Sequence, residues 1–157
     1  MNNNIGIILP NLEMSQLAFE TINTINQEIS TNNGYDYRIF FENLSARCLD
    51  VMCSTMNLSE VYSYDGLIIS TTLDNTRTSL NAVGNLQRAF LVWDLEFIRN
   101  QNNFVENLKI YRDPRLKLIT RSNDHDKVLM NYTNRKADLI MPKLSLERIK
   151  NEFTRSD

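Results

Sequence analysis

Two short segments carry the residue types that chemistry needs. The first is Trp93-Asp94-Leu95-Glu96, which closes the apolar run Ala89-Phe90-Leu91-Val92. An aromatic ring beside two carboxylates at a strand end offers a flat apolar face and two proton acceptors. Carboxylates placed so act as a general base or hold a ligand hydroxyl, which makes Asp94 and Glu96 the candidate catalytic residues. The structural alternative is that Asp94 caps the next turn and Trp93 belongs to the core. The second segment is Arg121-Ser122-Asn123-Asp124-His125. It sets a cation, a hydroxyl and an imidazole at the start of a helix, where free backbone N–H groups favour an anion. Its alternative is an ordinary N-cap among surface charges, or an internal Arg121–Asp94 salt bridge tying two loops together.

Several chemistries lack their residues. The turn Ile8-Leu9-Pro10-Asn11-Leu12-Glu13 contains no glycine. Without Gly-x-Gly-x-x-Gly or Gly-Lys-Ser/Thr the backbone cannot approach a pyrophosphate closely, which disfavours a dinucleotide dehydrogenase or a P-loop hydrolase. The Gly-x-Ser-x-Gly elbow is also absent. Cys48 and Cys53 are the only cysteines, and His125 is the only histidine. That pair fits neither a disulfide framework nor a zinc site, so reduced, mostly buried thiols with no metal are expected. No cofactor is implied.

Positioning these groups requires alternating strands and helices. Ile5-Gly6-Ile7-Ile8-Leu9 reads as a strand buried on both faces, ended by Pro10 and Asn11. Glu13 to Ile29 reads as a helix with Met14, Ala18, Ile22, Ile25 and Ile29 on its apolar stripe, stopped by Asn32-Asn33-Gly34. Tyr37–Phe41 is the next strand. Leu44 to Met56 reads as helical with Leu49, Met52, Cys53 and Met56 inward, and Val61–Tyr64 as a short or edge strand. Gly66–Thr72 is a strand, followed by a helix from Asp74 to Val83 that Thr72 or Asp74 caps and Gly84 ends. Ala89–Trp93 is a strand, and a less regular helical stretch from Phe97 to Ile110 reaches Asp113-Pro114. Leu116–Thr120 is a strand, and Ser122 caps a helix to Asn134. Ala137–Met141 is the last strand, closed by Pro142 before a helix capped by Ser145.

Strands alternating with helices predict a doubly wound, mainly parallel sheet in a three-layer α/β/α arrangement. In such sheets ligands bind beyond the carboxyl ends of the strands, at the point where strand order reverses. That rule gathers Asn11, Thr71, Thr72, Arg121, Ser122 and His125 as ligand-binding candidates around Asp94 and Glu96.

The length of 157 residues fits one domain over residues 1–157 and buries roughly 70% of the unfolded surface. A net charge of −2 lacks the basic excess of a nucleic-acid binder, so nucleic acid is not the expected partner. No stretch approaches the ~20 apolar residues of a membrane span, and the N-terminus has no basic signal region. A cytoplasmic location is expected.

The succession Gly66–Thr72, Phe90-Leu91-Val92-Trp93-Asp94-Leu95-Glu96, Leu116–Ser122 and Ala137–Pro142 resembles the amino-terminal Rossmann-like half of GT-B fold glycosyltransferases. The Trp93–Glu96 segment is also similar to small proteins of T4-like and marine phages, which would place the chain in the host cytoplasm. The resemblance implies an acceptor-binding half, with Asp94 or Glu96 as base or hydroxyl ligand and Arg121 with Ser122 holding an anionic group. It implies a sugar acceptor or nucleotide-sugar as ligand, and a second transferase-half protein as partner. The competing readings are a non-enzymatic interaction module, as a homodimer or host-factor binder, and a small nucleotide-binding regulator.

Overall fold

The structure is a computed structural model that describes residues 3–31, 34–99 and 103–154. Its strands are β1 (Asn4–Leu9), β2 (Asp36–Phe41), β3 (Ser54–Asn57), β4 (Gly66–Ser70), β5 (Leu86–Val92), β6 (Leu116–Thr120) and β7 (Leu139–Ile140). Its α-helices are α1 (Gln16–Ser30), α2 (Leu73–Asn81), α3 (Glu96–Arg99), α4 (Phe104–Arg112), α5 (Asn123–Thr133) and α6 (Leu146–Thr154). The seven strands form one sheet in the order β3-β2-β1-β4-β5-β6-β7. Every strand pair is parallel. This is the doubly wound, Rossmann-like α/β/α arrangement predicted from the alternation of elements.

The two faces of the sheet bury separate cores. On one face Ile5, Ile7, Leu9, Ile39 and Ile69 pack with Ala18, Ile22 and Ile25 of α1 and Leu146, Ile149 and Phe153 of α6. On the other, Phe90, Val92 and Leu118 pack with Leu73 of α2, Leu108 and Tyr111 of α4 and Leu129 of α5. Ile8, Phe40 and Ile68 extend that second face onto a 3₁₀ helix, Leu58–Ser63, through Val61. Burial on both faces explains why the strands read as near-continuous apolar runs.

Three expectations fail. The segment from Leu44 to Met56 is not a helix; it is irregular until β3, and Leu44 is 88% exposed. The apolar residues Leu49, Met52, Cys53 and Met56 are spaced like a helical stripe, but other partners take the backbone. Asn26 on α1 bonds Asp50 and Met52, Leu12 O accepts from Cys48 N, and β2 pairs Ser54–Asn57. Val61–Tyr64 is no strand: its first three residues close the 3₁₀ helix, which Asn57 caps, and Tyr64 follows as the C-cap. Met14 is 79% exposed because α1 starts only at Gln16, capped by Ser15.

Smaller differences concern boundaries. The stretch after Phe97 divides into α3 and α4. α2 ends at Asn81, with Ala82 as its C-cap, short of Val83 and Gly84, and β7 keeps only Leu139 and Ile140 of the last predicted strand. α1 already ends at Ser30 with Thr31 as its C-cap; Asn32 and Asn33 lie outside the described residues, and Gly34 takes φ 79° in the turn that leads to β2. Cys48 and Cys53 are free thiols, half-buried rather than mostly buried, and burial pushes the Cys53 thiol up to about 11.

Candidate functional site at the carboxyl edge

Strand order reverses between β1 and β4, since β1 leads to β2 on one side and β4 leads to β5 on the other. The turn after β4 is built around buried Asn75. Its Oδ1 accepts from Thr71 N at 2.9 Å and Thr72 N at 3.0 Å. The Thr71 hydroxyl donates to Ile8 O at 2.7 Å, stitching β4 to β1 where they part. Thr72 and Asn75 form a reciprocal capping box at the start of α2. Thr71 and Thr72 therefore frame the edge, and their side chains are engaged with the backbone.

Four carboxyls gather beside this turn. Glu96 Oε1 accepts the backbone N–H of Leu73 at 3.1 Å, one of the amides that the first turn of α2 leaves open. Burial raises Glu96 to about 7; the Leu73 N–H opposes the rise, while the charges of Asp74, Asp94 and Glu42 add to it. Burial and Asp74 also raise Glu42, against a side-chain hydrogen bond from Asn75. Glu42 Oε1 is shielded and has no hydrogen-bond partner among the described residues. Asp74 pairs with Arg77 at 2.7 Å and Asp94 with Arg99 at 3.1 Å, both at the surface. Beneath Glu96, the fully buried Tyr111 hydroxyl has no partner among the described residues, and burial and the Glu96 charge both raise it.

The second part of the edge is aromatic. The Arg121 guanidinium lies over the Trp93 ring, 4.0 Å from its centroid. Trp93 also walls a cleft of about 280 Å³ with Pro10, Asn11 and the first turn of α1. The alternative reading, an Arg121–Asp94 salt bridge, does not hold: Arg121 stacks on Trp93 and Asp94 pairs with Arg99. Asn11 Oδ1 accepts from Glu13 N, a tight local turn. Ser122 caps α5 by accepting from His125 N, as read from the sequence. The His125 imidazole Nδ1 is buried and without a partner among the described residues.

No protein-family model, curated protein or solved structure matches this chain. The structure brings Glu96 and Asp94 into one acidic group and Asn11 and Arg121 into one aromatic group. Sequence reasoning missed Glu42, Asn75 and Tyr111. Glu42 directly follows Phe41 at the end of β2, so the strand-end rule reaches it. Thr72-x-x-Asn75 is a readable capping box. Tyr111 gives no such signal, because only packing brings an α4 residue under a strand end. Among the described residues no three His, Cys, Asp or Glu side chains are arranged to hold a metal ion, and no helix is long and apolar enough to cross a membrane.

Proposed function

We propose that the carboxyl edge binds a hydroxyl-bearing ligand of the sugar class, and that Glu96 takes the proton from one of its hydroxyls as the acceptor half of a glycosyl transfer. The observation that carries this reading is the placement of Glu96: half-buried, anchored by Leu73 N–H, and beside the reversal of strand order. A base works best when its pKa lies near the working pH. A carboxyl near 7 meets that condition, while an ordinary surface glutamate is too weak a base.

In this reading the acceptor O–H bond breaks toward Glu96. The oxygen bonds to the anomeric carbon of a donor sugar as the donor's leaving group departs, and Glu96 returns the proton to solvent. Trp93 supplies a flat face for a sugar ring. Negative charge at Glu42, Asp74 and Asp94 repels a diphosphate, so the nucleotide of a sugar-nucleotide donor belongs on a second transferase half. The test is calorimetric titration of the chain with monosaccharides, nucleotides and nucleotide-sugars, repeated on Glu96→Gln. Saccharide binding that weakens in the variant supports the reading. Binding of nucleotides alone, or saccharide binding indifferent to the variant, contradicts it.

A further inference from the structure

Arg121 differs from every other arginine among the described residues. Arg38, Arg77, Arg99 and Arg115 bond carboxylates. Arg88, Arg112, Arg135 and Arg148 donate to backbone carbonyls, and Arg47 to the Thr55 hydroxyl. Among the described residues Arg121 has no hydrogen-bond acceptor and no ion pair, and its guanidinium is stacked on Trp93. Stacking on a ring fixes the plane of a guanidinium without using any of its N–H donors. A fork of donors held still and left unmatched is the geometry that recognises a carboxylate or phosphate in two parallel hydrogen bonds.

The surroundings agree in sign. The residues lining the cleft beside Trp93 include no acidic side chain. The acidic group of Glu42, Asp74, Asp94 and Glu96 surrounds the start of α2. Val92 and Thr120 are paired across β5 and β6, so Trp93 and Arg121 follow as neighbours, and Glu96 stands three residues beyond Trp93. A ligand across these strand ends meets donors at one end and a proton acceptor at the other.

We infer that Arg121 reads an oxyanion on the ligand, so the preferred sugar is an acidic one: a uronate through its carboxylate, or a sugar phosphate. This deepens the acceptor reading and rests on it. The experiment titrates the full chain with glucuronate, glucose 6-phosphate, glucose, acetate and inorganic phosphate, following heat and Trp93 fluorescence. It is repeated on Arg121→Ala, Arg121→Lys and Glu96→Gln.

The expected result is tighter binding of one or both acidic sugars than of glucose. Arg121→Ala should weaken that binding about tenfold or more, and Arg121→Lys should recover only part of it, because it keeps the charge and loses the fork. Glucuronate and glucose 6-phosphate distinguish the two sources of the oxyanion. Equal binding of glucose, no binding of either acid at millimolar concentration, acetate or phosphate binding as tightly as the sugar acids, or acid binding unchanged in a folded Arg121→Ala each overturns the inference. If only the Glu96 reading fails, Glu96→Gln binds like wild type and the Arg121 discrimination persists. If only this inference fails, glucose binding responds to Glu96→Gln and ignores Arg121.

Discussion

Glu96 Oε1 accepts the Leu73 backbone N–H at 3.1 Å, so one carboxyl closes the first turn of α2 and stands where β1 and β4 part. The ordinary value of this carboxyl is 4.5, and burial raises it to about 7 in the folded chain. The folded state therefore holds the proton more tightly than the unfolded state. The stability this gives is fully present below about 4.5 and is lost as pH rises through 7. Glu96→Gln keeps an acceptor for Leu73 and removes the titration. Its unfolding free energy should match wild type near pH 4.5 and exceed it above pH 7, by an amount on the order of 1 kcal/mol because the group is partly solvated, with a correspondingly higher melting temperature. Melting curves across that range check it; an offset independent of pH contradicts it.

Trp93 is the single tryptophan, so its emission reports the Arg121 stack directly. Arg121→Ala should shift the emission to the red as the ring gains water. It should cost about 0.5–1 kcal/mol, the range for a partly exposed cation–π pair. An unchanged spectrum would show that the stack does not persist in solution.

Asn75 is the keystone of the β4–α2 turn. Asn75→Ala leaves Thr71 N and Thr72 N without their acceptor. Each buried amide so orphaned costs about 1–3 kcal/mol, so the variant should lose roughly 2–4 kcal/mol in denaturant unfolding. A loss below about 1 kcal/mol would mean that water or another side chain replaces the amide.

Much of this edge is legible in the sequence because strand ends are. Leu116–Thr120 reads at its true boundaries, since Pro114 precedes it and Arg121-Ser122 follows, and Ser122 caps α5 as its hydroxyl and position require. The region from Leu44 to Met56 was not legible. Its apolar spacing suits a helix, and only long-range bonds from Asn26 and pairing with β2 decide against one. The partners of Asp94 and Arg121 were equally hidden, because local charge offered each to the other. Packing sent Asp94 to Arg99 and Arg121 to Trp93.

Whether Glu96 receives the acceptor proton is decided by a carbon-detected NMR titration of its carboxyl, with and without saturating saccharide. The midpoint should lie at about 7 in the free protein. A ligand hydroxyl donating to the carboxylate stabilises its charged form, so the midpoint should fall on binding. A midpoint in the ordinary carboxylate range, or one that no bound saccharide moves, contradicts the claim that Glu96 receives the acceptor proton.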